Sequence, residues 1–261
     1  MESFITANDG VRIAYRFDGA QQLPTLILSN SIATDYAMWD GQIAELSQRF
    51  RVLRFDTRGH GKSDVPLGPY SMDRLGHDVL DLMDALGIAR AHFLGLSLGG
   101  FIGQWLAIHR PERIDKLILS NTAASLGTDG WSERIAGVLA DHGMRESAEM
   151  FLKSWFPVEM VAENGVEIQR FRAMLHAIDP RGVAGAFAAV RDADQRRTVR
   201  LIEAPTLVIA GVDDTVTSAK HGEELAAAIP GARLVMLPGV HLSNVEQPAA
   251  YMDAVMGWLG G

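Results

Sequence analysis

The chain has 261 residues, 48% hydrophobic and 21% charged, which suits one large soluble domain or a core carrying an insertion. A net charge of −8 excludes a broad basic face for nucleic acid, although an anionic small molecule needs only one or two local cations. Without cysteine, disulfides, thiolate metal sites and a cysteine nucleophile are excluded.

Met1–Phe4 has neither the basic start nor the apolar core of a secretory leader, and no apolar run reaches membrane-spanning length. The expected compartment is therefore the cytoplasm, with no membrane partner. Residues 3–17 read as two short strands around the turn Asn8-Asp9-Gly10. Thr25–Leu28 is a continuous apolar run, typical of a strand covered on both faces, and it ends in the loop Ser29–Ala33. A helix is predicted from Tyr36 to about Gln48, with Trp39, Ile43 and Leu46 inward. Arg51–Phe55 is another buried strand, opening into the charged turn Asp56–Asp64. Leu75, Val79, Leu82 and Leu86 mark an amphipathic helix stopped at Gly87. The apolar run His92–Leu94 then turns through Gly95-Leu96-Ser97-Leu98-Gly99 into a helical run, Phe101–Ala107, and Lys116–Asn121 is one more strand.

After Asn121 the rhythm breaks. From about Ala124 to Leu201 the composition is helical, and Pro157, Gly165, Pro180 and Gly182 divide it into three or four predicted helices whose Met and Trp residues are mostly packing core. Strands resume at Pro205–Ala210 and Arg233–Leu237, with helices at Ser218–Ile229 and about Pro248–Leu259. Regular alternation implies parallel strands with crossover helices on both faces. The expected organisation is a core of residues 1–123 and 202–261 with a helical cap over 124–201.

Ligands of open parallel sheets bind at the carboxyl ends of the strands. The loops leaving those ends carry Asn30-Ser31-Ile32, Asp56–Asp64, Ser97, Asp213-Asp214 and His241. A serine hydroxyl needs a base to become a nucleophile, and an imidazole titrates in the right range. A buried carboxylate on its other nitrogen fixes the tautomer and stabilises the imidazolium. His77, His92, His109, His142, His176 and His221 lie in or beside helices and strands and read as structural. His241 alone leaves the terminal strand in a loop beside a glycine.

The order Ser97, acid, His241, with the acid after the strand that follows the insertion, resembles the α/β-hydrolase fold. That resemblance implies a mostly parallel eight-stranded sheet flanked by helices, with a helical cap. Members place the acid three residues after the glycine ending its strand, which from Gly211 gives Asp214 rather than Asp213. The resemblance also implies an oxyanion hole made by the amides of Leu98 and, aligning on Trp39, Ile32.

The run SNSIATDYAMWD, taken with DTRGHGKSD and GLSLGG, is similar to the 3-oxoadipate enol-lactonases. The similarity implies a hydrolase without metal or cofactor, opening a small anionic lactone in aromatic catabolism, with Asn30 and Ser31 on the substrate side. DTRGHGKSD is shared by many hydrolases, and Asp56, Arg58 and Ser63 read as ties between loops. A substrate carboxylate calls for a cation in an apolar pocket, and Arg134, Lys153 and Arg172, beside Trp131 and Trp155, are the candidates. A carboxylesterase, a C–C bond hydrolase or a ligand receptor on the same fold would use the same scaffold. If Asp214 is the acid, Asp214→Asn cripples turnover in steady-state kinetics while Asp213→Asn leaves it mostly intact; the opposite ranking exchanges the two.

Overall fold

The computed structural model describes residues 3–140 and 143–260, so His142 lies outside the described residues. Its strands are β1 (Ser3–Thr6), β2 (Arg12–Asp18), β3 (Thr25–Ser29), β4 (Arg51–Phe55), β5 (Ala91–Leu96), β6 (Ile114–Ser120), β7 (Thr206–Gly211) and β8 (Arg233–Leu237). They form one sheet in the order β1-β2-β4-β3-β5-β6-β7-β8. β1 and β2 are antiparallel to their neighbours, and every pairing from β4 to β8 is parallel. The central strands are apolar runs because both faces are covered: every residue of β5 and β7 is buried.

Helices α1 (Asp40–Leu46), α2 (Met72–Ala85) and α3 (Leu98–His109) follow β3, β4 and β5. α3 packs on β3, β5 and β6, and α2 packs on α3. The predicted helix from Tyr36 begins instead as a 3-10 turn, Tyr36–Trp39, because the Asp35 side chain accepts from the Ala37 amide and tightens its start.

Among the described residues five α-helices, more than the three or four predicted, and a 3-10 turn at Val199–Leu201 lie between β6 and β7: α4 (Trp131–Leu139), α5 (Gly143–Trp155), α6 (Val158–Glu163), α7 (Val166–Ala177) and α8 (Pro180–Asp192). The uncounted break precedes Gly143, which opens α5. Gly182, read as punctuation, sits inside α8. There the missing side chain lets the helix touch the core: a Cβ on Gly182 would lie 1.9 Å from the Gly59 carbonyl oxygen. After β7 come α9 (Ala219–Ala228), α10 (Ser243–Glu246) and α11 (Pro248–Gly260). Among the described residues no helix is long and apolar enough to cross a membrane.

Three of these helices are tied to turns and loops of the rest of the chain. Arg170 of α7 donates to the Ala37 carbonyl at 2.8 Å. The Tyr70 amide donates to the Gly185 carbonyl of α8 at 3.1 Å, and the Leu242 amide donates to the Trp155 carbonyl at the end of α5, also at 3.1 Å. Because Gly182 meets backbone rather than a movable side chain, Gly182→Ala should destabilise by about 1–3 kcal/mol. Thermal or denaturant unfolding checks this, with Gly137→Ala, within α4 and with nothing within 4 Å of its Cβ, as the control for the gain in helix propensity alone.

Candidate active site

Ser97 sits between β5 and α3 with φ 55° and ψ −114°, a conformation a non-glycine residue adopts only under constraint. The constraint is close packing of backbone. A Cβ on Gly95 would lie 2.0 Å from the Gly99 oxygen, and one on Gly99 would lie 2.2 Å from the Ser29 oxygen. Strand, turn and helix can pass only because those positions are bare. Hydrogen bonds then pin the turn: Ser97 N to the Ser120 carbonyl at 3.0 Å, and Thr122 Oγ1 to the Ser97 carbonyl at 2.8 Å.

His241, in the loop after β8, is buried, and its Nδ1 lies 2.8 Å from Asp214 Oδ2. The Asp214 carboxylate also accepts from Thr217 Oγ1 and Asn121 Nδ2 on Oδ2, and from the Val216 and Thr217 amides on Oδ1. Burial opposes its ionisation, but the His241 ring, the Thr217 amide and the Asn121 amide outweigh burial and hold its pKa down to about 2. Asp213, one residue earlier, is exposed. Local geometry thus puts Asp214, not Asp213, against the imidazole.

Ser97 and His241 open into one cavity of about 290 Å³, whose lining includes Ile32, Leu98, Phe101, Trp131, Arg134 and Trp155. Leu98 is the first residue of α3, so its amide has no carbonyl partner within the helix. No group of three or more histidine, aspartate or glutamate side chains that could hold a metal occurs among the described residues.

Residues 24–248 match the family of the α/β-hydrolase fold. The chain is an α/β hydrolase. It is 40% identical to 3-oxoadipate enol-lactonase 2 of Acinetobacter baylyi over 252 residues, covering 96% of this chain and 94% of that one. The crystal structure of an enol-lactonase from Burkholderia xenovorans is also 40% identical, with a TM-score of 0.96 over 99% of this hydrolase and 100% of that chain. A hydrolase from Pseudomonas aeruginosa superimposes with a TM-score of 0.98 at 57% identity, covering 100% and 98% of the two chains.

Several side chains sit elsewhere than the sequence suggests. Asn30 is buried outside the cavity: its Nδ2 donates to the Phe55 carbonyl and its Oδ1 accepts from Trp39 Nε1, each at 2.9 Å. Ser31 is buried too and does not line the cavity. The SNSIATDYAMWD run is held from within and from outside: Thr34 Oγ1 donates to the Ser31 carbonyl and the Ser31 amide points at Met38 Sδ, while Asp40 pairs with Arg54 and the Met38 carbonyl accepts from Asn244 Nδ2. Arg172 is held by Glu149 and Asn164, and neither it nor Lys153 lines the cavity. DTRGHGKSD does tie loops: Asp56 accepts from the Tyr36 and Lys62 amides, Ser63 Oγ donates to the Asp56 carbonyl, and Arg58 pairs with Asp78 and Asp9.

His221, read as structural, lines the cavity, its Nδ1 3.1 Å from Ser218 Oγ. A pattern of alternating strands and helices cannot show that the first turn of α9 faces Ser97. Asn121, just past the end of β6, bonds Asp214, and its only sequence signal is an asparagine at the end of a strand-like run.

Asp214 sits below its ordinary value of 3.8 in the fold, so its share of stability is complete above that value and lost as pH falls towards about 2. In thermal melts the advantage of wild type over Asp214→Asn should shrink steadily between pH 5 and pH 2.

Proposed function

We propose that this hydrolase opens the ring of 3-oxoadipate enol-lactone to give 3-oxoadipate. The observation that carries the reading is an exposed arginine on the cavity lining that no carboxylate of the described residues pairs with. Among the described residues Arg134 has no ion pair and lies over the Trp131 ring at 5.1 Å, whereas Arg170, Arg172, Arg181, Arg191 and Arg196 are each paired with a carboxylate. An unneutralised guanidinium at an aromatic wall suits a substrate that is apolar in the ring and anionic at its tail. The two enol-lactonase relatives support the same substrate.

The chemistry follows from the residues. Ser97 Oγ attacks the lactone carbonyl carbon while His241, its other nitrogen held by Asp214, takes the hydroxyl proton. The amides of Leu98 and Ile32 receive the oxyanion. When the tetrahedral species collapses, the ring C–O bond breaks and expels an enolate, which takes the proton from the imidazolium. The leaving group stays tethered to the acyl chain, and its tautomerisation to a ketone prevents re-closure. Water then gives a proton to His241 and attacks the acyl carbon. Ser97 departs with that proton, and the diacid is released. The Asn30-Ser31 segment serves by fixing Ile32, since its own side chains are turned away.

Steady-state kinetics on the enol-lactone test the reading. Ser97→Ala should lose at least about three orders of magnitude in kcat, in keeping with removal of a nucleophile. Arg134→Met should raise KM by about tenfold or more while kcat changes little. Full turnover in Ser97→Ala would sink the mechanism. Unchanged KM in Arg134→Met would instead remove the carboxylate assignment. Because the leaving group is tethered, no burst of free product precedes the steady state, yet mass spectrometry of quenched turnover should find an acyl adduct on Ser97.

A further inference from the structure

We propose that Asn121 is a positioning residue that locks acid and base together, an inference that rests on Ser97, Asp214 and His241 acting as proposed. Asp214 and His241 leave different strands, β7 and β8, whose loops meet directly where the Asp213 amide donates to the Gly239 carbonyl at 3.0 Å and where Thr217 Oγ1 lies 3.4 Å from His241 Nδ1. Asn121 stands just past β6, fully buried, and reaches both. Its Nδ2 donates to Asp214 Oδ2 at 3.1 Å and to the carbonyl of Val240, the residue before His241, at 3.1 Å. Its Oδ1 accepts from Ser243 Oγ, two residues after His241, at 2.7 Å and from Ser120 Oγ at 2.9 Å. A primary amide has two donor hydrogens and two acceptor lone pairs, and all four are used.

The surroundings are shaped for that amide. Asn121 has φ 42°, and its own amide donates to the Ile209 carbonyl of β7 at 2.8 Å, so the left-handed turn aims the side chain across the strand ends. Gly211 opens the approach: a Cβ there would lie 2.5 Å from the Val240 oxygen and 3.2 Å from Asn121 Nδ2. The far side of the Val240 peptide is held as well, its amide donating to Glu246 Oε2 at 2.7 Å. Val240, the residue before His241, is therefore held through both its N–H and its carbonyl. Aspartate at 121 would lose both donors and set a second carboxylate beside Asp214.

Asn121 also shares out the charge of Asp214 Oδ2, the same oxygen that faces the imidazole. With that donor gone, the carboxylate holds the imidazolium proton more tightly, and the acid limb of kcat/KM moves to higher pH. The other charged groups nearby are Asp129, Arg134 and His221 in the cavity lining and Glu246 on α10, and Asn121 hydrogen-bonds none of them. A merely structural role would lower the active fraction and leave the limb in place.

The test uses the full chain and a nitrophenyl ester, so that lactone specificity plays no part, with active sites counted by fluorophosphonate labelling of Ser97. Asn121→Gly keeps the left-handed turn and removes the amide. Loss of a hydrogen bond to a charged group predicts a fall of about 10- to 100-fold in kcat per site, an upward shift of the acid limb and little change in KM. The downfield proton signal of the His241 Nδ1–H bond to Asp214 should move or broaden beyond detection. Ser243→Ala, which frees the amide from its other end, should shift the limb in the same direction with a smaller loss, and it decides the matter if Asn121→Gly does not fold. Wild-type kcat per site and an unmoved limb in these variants overturn the role of Asn121 alone. Turnover persisting in Ser97→Ala overturns the underlying reading instead.

Discussion

At Ser97 the backbone is held in a left-handed turn by elements that pack too closely to admit any side chain at Gly95 or Gly99. The remaining geometry depends on that crossing. It brings the first turn of α3 against the end of β3, where Gly99 N donates to the Asn30 carbonyl, and so sets Leu98 and Ile32 beside one another in the cavity lining. Local strain of this kind costs about 1–3 kcal/mol and persists only where surrounding structure over-determines it. Here the surroundings are β5 with its parallel neighbours β3 and β6, and the bonds to Ser120 and Thr122.

The scaffold was legible in the sequence because its signals are local. Buried parallel strands are apolar runs, the turn at Ser97 declares itself by flanking glycines, and the acid could be counted from Gly211. Where the reading went astray, the missing information was tertiary. Asn30 looks like a ligand-facing polar residue, but its amide is consumed by Trp39 and Phe55. His221 looks structural on a helix, yet that helix starts at the cavity wall. Gly182 looks like a break and is a contact surface. Asn121 could not be singled out, because its four partners come from three separated stretches of chain.

The loop after β3 shows how a family signature can encode shape rather than contact. Thr34 and Trp39 spend their side-chain polar atoms on the loop itself, the Asp35 carboxylate holds the Ala37 amide, and Asp56 reaches in to hold the Tyr36 amide. Only Ile32 of that stretch lines the cavity, and it does so with a buried apolar side chain. The walls of the cavity come instead from α4 and α5, where Trp131, Arg134 and Trp155 stand. Shape of the loop and chemistry of the walls are separable properties.

The bond from the Leu242 amide to the Trp155 carbonyl joins the last residue of α5 to the residue that follows His241. The helical layer is thus not a detachable module. A different set of helices grafted onto this core, in the laboratory or by recombination, would keep this tie to the loop carrying His241 only with a carbonyl at the same spot. New walls over the cavity therefore come with a constraint on one backbone atom.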